Sequence, residues 1–132
     1  MPTQILKGLK IVLLVELAVW VVFGVLLTFF IQYFVTWFNW PDYDPTAGRY
    51  TGVIFLSLAF ITFIVYREKD WERIEIFIIL DIVICITGGI IQLLGVFLDI
   101  TRSTGWAGWL FFGIHMAFFV LILYFYIQQQ KQ

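Results

Sequence analysis

Charge is scarce in this 132-residue sequence. Asp, Glu, Lys and Arg make up 13% of it, and eight basic against nine acidic residues leave a net charge of −1. No basic tract exists, which excludes the electrostatic footprint of a nucleic-acid binder or a polybasic lipid anchor. A single cysteine, Cys85, excludes an intrachain disulfide and a dithiol redox pair. A single histidine, His115, excludes a haem held by two histidines of this chain. No nucleophile-base-orienter set and no glycine-rich phosphate loop is visible, so the expectation is a chain that is not an enzyme, with no bound cofactor and no metal.

What is present is apolar. Hydrophobic residues make 62% of the chain and aromatic residues 20%, with a mean hydropathy of +0.97. A chain this short has too little interior volume to hide that much apolar surface from water, so the lipid bilayer is its expected solvent and first partner. The sequence predicts one membrane domain over residues 1–132, all-α, built as an antiparallel bundle of four transmembrane helices.

The boundaries come from local signals. A charged start with Lys7 and Lys10 leads into an apolar run with no small-residue cleavage site, so the first helix, 8–38, is read as retained. At 1.5 Å per residue it is about 42 Å long against a hydrocarbon core of about 30 Å, so it must tilt or project. Asn39 and Pro41 end it, and Trp37 and Trp40 suit the interface. Asp44-Pro45 pairs an N-cap with proline at the first helical position and opens a helix over 45–66. The small and hydroxyl residues of that helix, Gly52, Ser57, Ala59 and Thr62, spread around it without defining a face. The charged hairpin 67–73 follows. Asp70 caps a third helix, 71–99, whose positive end is favoured by Glu72 and Glu75. Ser103 and Thr104 are candidate caps for a fourth, 104–127, and Gln128 to Gln132 form a polar tail. Trp106 and Trp109 on one side and Trp71 on the other read as interfacial belts. Lys7, Lys10, Arg67, Lys69, Arg73 and Lys131 fall on one side against Arg49 and Arg102 on the other. The positive-inside rule therefore predicts cytoplasmic N- and C-termini.

The third predicted helix carries the strongest pattern. Asp81, Cys85, Gly88, Gln92, Gly95 and Asp99 are spaced four, three, four, three and four, which at about 100° per residue confines them to a wedge of about 80°. The rest of that helix is almost wholly Ile, Leu, Val and Phe. A narrow polar and small-residue seam must face protein, because lipid cannot satisfy it. In the first reading Cys85, Gly88 and Gly95 let another helix approach, and the protein is a non-catalytic accessory or structural subunit that associates with other membrane subunits or with itself.

The alternative rests on four groups whose burial in lipid is costly: Glu16, Asp81, Gln92 and His115. Glu16 follows Lys10 by six residues and Asp81 follows Glu75 by six, so each lies about 9 Å into its helix from the same side. If the first and third helices face each other, the two carboxyls can share a proton, suiting a proton-coupled transporter or a site for a cationic or lipophilic ligand. Gln92 and His115 lie in the outer half of the layer, where a hydrogen bond between them would contribute about 0.6 kcal/mol. Asp81 and Cys85, at i and i+4, are the one metal-ligand spacing, and they are too few to predict a site. Trp20 and the phenylalanines could bound a flat lipophilic molecule, but a lipid-facing or packing role is their default reading.

Residues 41–98 carry features of a known group: Asp44-Pro45 opening a helix, Arg49 and Gly52 in its first turns, Arg67 closing it, and a charged hairpin leading onward. In these the chain resembles small DoxX-like four-helix membrane proteins. The resemblance implies the four-helix fold and transfers no catalytic residue. The first helix with Glu16 is also similar to the carboxylate-bearing helix of small multidrug-resistance transporters, a likeness confined to that helix.

Overall fold

The computed structural model describes residues 4–38, 44–98 and 105–132. Among them the chain is all helical, in five helices: α1 (Lys7–Phe29), α2 (Ile31–Phe38), α3 (Pro45–Arg67), α4 (Trp71–Leu98) and α5 (Gly105–Gln129). Four of these, α1, α3, α4 and Trp106–Gln129 within α5, are long and apolar enough to cross a membrane. Asn39, Trp40, Pro41, Asp99, Arg102, Ser103 and Thr104, to which the sequence assigns stops, belts, seam, charge or caps, lie outside the described residues.

Local chemistry explains two of the helix starts. The Asp44 carboxylate accepts from the Thr46 N–H at 2.8 Å and Pro45 occupies the first helical position, so an orphan donor is satisfied where proline supplies none. Asp70 accepts from the Glu72 N–H at 3.2 Å in the same way. At the other end of α3, the Lys10 ammonium donates to the carbonyls of Tyr66 at 3.1 Å and Glu68 at 2.7 Å. A cation there meets the negative end of the helix and its unpaired carbonyls.

The helix expected over 8–38 is not continuous. It breaks at Phe30 (φ −119°, ψ 31°) and resumes as α2, which buries Ile31 and Phe34. Phe34 stacks on Phe38 at 4.4 Å and Phe38 on Trp106 at 5.1 Å. A straight continuation of about 42 Å would carry these rings past an apolar layer of about 30 Å. Turning the last two turns back onto α5 buries them, and aromatic packing of this kind offsets the departure from helical geometry.

Helix α1 packs chiefly on α3, and α4 on α5; the two pairs meet along α1 and α5, while α3 and α4 hardly touch. The small residues of α3 do define a face. Gly52, Ala59 and Thr62 are buried, whereas Ser57 is exposed and bonds to its own helix at Val53. At Gly52 a Cβ would stand 2.7 Å from the Thr28 nitrogen and 3.0 Å from the Gly24 oxygen, so α1 and α3 touch backbone to backbone.

Two apolar clusters result. One joins Leu9, Leu13, Val65, Trp71, Ile78, Phe118 and Ile122; the other joins Leu27, Ile31, Phe34, Ala107 and Phe111. Trp71 is therefore not an interfacial belt residue: it is 5% exposed, with its ring against Tyr126 at 5.8 Å. Nor is the glutamine tail free. Helix α5 runs on to Gln129, whose side chain accepts from the Leu6 N–H at 2.8 Å and donates to the Gln4 carbonyl at 2.9 Å. Gln130 and Tyr126 both donate to Glu75. These bonds gather both ends of the chain and the 68–75 region at one end of the molecule. Outside, every helix presents large apolar side chains, among them Ile11, Tyr33, Phe60, Ile76 and Val120. Lipid covers such a surface without cost, whereas water does not.

Two outcomes follow from these contacts. Gly52→Ala forces α1 and α3 apart and should lower stability by about 1–3 kcal/mol in thermal unfolding. Gly8→Ala displaces the Phe125 ring but no backbone and should cost less than Gly52→Ala. In the hairpin, the Glu68 carboxyl accepts from the Lys69 N–H at 2.8 Å and the Asp70 N–H at 3.4 Å. Those bonds, with the charges of Arg73 and Lys10, hold its pKa below the usual carboxylate value. A depressed carboxylate contributes stability above its unfolded pKa and loses it as pH falls through the folded one. Glu68→Gln should therefore lower the melting temperature slightly at neutral pH, and the difference should vanish in acid.

Candidate functional site: a buried carboxyl pair

Between the two apolar clusters lies a layer of polar side chains. Glu16, on the face of α1 that carries Leu9, Leu13 and Trp20, is fully buried. The helical spacing of these residues turns its carboxyl inward, where snorkelling to headgroups is blocked. Across from it α4 presents Asp81 and Cys85. One ligand atom from each of the three residues lies within 4.8 Å of the others. The Cys85 thiol stands 3.9 Å from Glu16 Oε1 and 4.0 Å from Asp81 Oδ1 and donates to one of them at a time. Trp20, one turn beyond Glu16, is the remaining polar neighbour acting on that carboxyl.

Among the described residues no ion pair balances a charge on this cluster: the ion pairs are those of Arg73 with Glu68 and Asp70, and Lys10 is engaged by the end of α3. Glu16 Oε2 is buried and has no hydrogen-bond partner. Two carboxylates within 4.8 Å repel by at least about 3 kcal/mol at an effective dielectric of about 20. A proton or another cation shared between them removes that repulsion and satisfies the orphan oxygen. Two oxygens and a sulfur also form a donor set that a borderline metal such as zinc accepts. The observed spacings of 3.9 and 4.0 Å exceed by about half an ångström the separation of oxygen and sulfur ligands around one tetrahedral zinc. Sequence spacing offered Asp81 and Cys85 alone; the third donor lies 69 residues from Cys85, on another helix.

Asp81, but not Glu16, is reachable from one side. Asp81 lines a crevice of about 80 Å³ between α3 and α4, walled by Leu13, Trp20, Leu58, Phe77 and Ile84, with Thr62 as a second polar group. Thr62 does not stand out in the sequence as a site residue, and Trp20 does so only as an aromatic that could bound a lipophilic ligand, not as a neighbour of the carboxyls. The signal available for Trp20 is its position four residues after Glu16, on the same face.

Gln92 and His115 do not bond to each other. The imidazole Nδ1 donates to the Phe111 carbonyl of its own helix at 2.8 Å. The ring lies over Gly88, where a Cβ would stand 2.6 Å from Nε2, one turn short of Gln92. Gly89, which the seam pattern passes over, is also buried, and a Cβ there would meet Met116 Sδ at 3.0 Å. The seam of α4 is thus occupied within the chain, Cys85 facing Glu16 and Gly88 facing His115, while Gly95 is buried farther along.

No family model, curated protein or solved structure matches the chain, so its function is argued from this geometry alone. A buried carboxyl with an orphan oxygen costs stability that an apolar side chain would not. Glu16→Met should raise the unfolding free energy by about 1 kcal/mol or more, read as a higher melting temperature in detergent; a fall would make Glu16 a structural tie.

Proposed function

We propose that this chain is a small multi-pass membrane protein, an antiparallel four-helix bundle with cytoplasmic termini, that exchanges the proton of the Glu16–Asp81 pair for a lipophilic cation. The observation that carries the reading is a pair of carboxyls, within 4.8 Å of each other, to which the described residues supply no cation. The crevice between α3 and α4 brings Asp81 to a space bounded by Trp20 and Phe77. Aromatic faces attract an organic ammonium, and a carboxylate beside them completes its coordination. The side with more Lys and Arg supports the orientation. A scaffold that associates through the α4 seam is less favoured, because Cys85 and Gly88 face α1 and α5 of the same chain.

Exchange of a proton for a cation has a definite sign. Protons compete with the ligand, so affinity for the probe benzyltrimethylammonium should rise with pH, and binding should release protons into a weakly buffered solution. Calorimetry of the protein in nanodiscs, in two buffers of different ionisation enthalpy, measures both. Asp81→Asn and Glu16→Gln should each weaken binding by tenfold or more and abolish proton release while the protein remains folded. Unchanged affinity in both variants would refute the exchange.

A further inference from the structure

A cavity larger than the crevice beside the carboxyls lies among the described residues. It has a volume of about 270 Å³ and lies in the other half of the molecule, with Leu27, Phe34, Phe55 and Phe111 as its apolar walls, Gln92 and His115 at one border, and Asp44 and Thr51 at the start of α3 as further polar lining. Five helices build it, so it exists only in the folded chain. Trp20 stands between this cavity and the carboxyl pair, with its ring 5.0 Å from Phe55 and 6.2 Å from His115.

The chemistry of the cavity is specific because the tautomer of His115 is set by its helix. A carbonyl oxygen can only accept, so the bond to Phe111 puts the proton on Nδ1 and leaves Nε2 of the neutral ring with a lone pair. His115 is 9% exposed, and among the described residues Nε2 has no hydrogen-bond partner. The same holds for the Gln92 amide, which can both donate and accept. Apolar and aromatic walls with a buried acceptor and an amide at one border match a flat, lipid-soluble molecule carrying a hydroxyl. The ligand hydroxyl donates a hydrogen bond to His115 Nε2 and keeps its proton, and the Gln92 amide donates to the hydroxyl oxygen. We infer that this cavity is a second binding site, independent of the carboxyl pair, for a lipophilic phenol or ring alcohol. Its volume is slightly below the range of about 300–1,000 Å³ that holds drug-sized ligands, which sets the size at roughly two fused rings.

His115 is the one histidine of the sequence, so its ring nitrogens report on the site directly. The experiment compares 2-naphthol with 2-methoxynaphthalene, which has the same ring system but no hydroxyl proton, using the full chain in nanodiscs with protein-free nanodiscs as the blank. In imidazole ¹⁵N spectra 2-naphthol should shift the Nε2 resonance and the ether should not. In equilibrium binding 2-naphthol should be at least tenfold tighter. His115→Leu and Gln92→Leu should each reduce that preference to less than threefold, and Gly88→Ala, which displaces the imidazole, should do the same. If His115→Leu fails to fold, the two-ligand comparison on the unaltered protein and on Gln92→Leu still decides. Equal affinity for both compounds, or binding that leaves the Nε2 resonance in place, would overturn the inference and leave the cavity a nonspecific apolar space.

Discussion

The structure is arranged around two carboxyls that face each other in an apolar interior, with no ion-pair partner among the described residues. Removing such groups from water is the most expensive thing this fold does, and it is tolerable only where the charge is neutralised. Apolar clusters lie above and below the pair, and the polar groups of the interior, Glu16, Asp81, Cys85, Trp20, Thr62 and His115, occupy the layer between them. Concentrating polarity in one layer lets these groups interact with one another instead of being scattered as separate penalties.

The helix arrangement follows from how closely backbones can approach. Gly24 and Gly52 bring α1 against α3, and Gly88 and Gly89 bring α4 against α5 at His115 and Met116. Each pair is therefore tight within itself. The junction between pairs is looser, and it is there that the crevice beside Asp81 opens. At one end the glutamine, lysine and hairpin contacts tie the pairs together through backbone carbonyls and amides. The carboxyl pair thus sits at the junction of the two helix pairs and not within either of them. Trp20 lines the crevice and its ring packs against Phe55 and His115, which line the cavity.

Much of this was legible one helix at a time. Asp44-Pro45 and Asp70 announce helix starts through backbone donors that must be satisfied locally. Equal offsets from Lys10 and Glu75 put Glu16 and Asp81 at one level because helical rise is constant. Other features needed the partner surface. The 3.6-residue period places Gly52, Ala59 and Thr62 on a broad arc, and only contact with Thr28 and Gly24 shows that the arc is a face. A tryptophan at a helix start suits an interface equally whether it points to headgroups or inward, and Trp71 points inward because Tyr126 offers a ring to pack on. Gln129 resembles a solvated tail until the amino-terminal segment passes beside it. Gln92 and His115 were well placed to bond, but the histidine found a nearer acceptor on its own helix.

Composition and length determined that this chain forms four helices apolar enough to cross a bilayer, whose interior offers backbone groups no partners other than their own helix. Spacing along each helix determined which residues could share a face and a depth. Tertiary structure decided the rotation of each helix about its axis, and with it whether the carboxyls meet, which glycines are seats, and where cavities remain. That rotation is free as far as helix formation is concerned and is chosen only by packing between residues far apart in sequence. The chemistry of the site is therefore a property of the assembled interior.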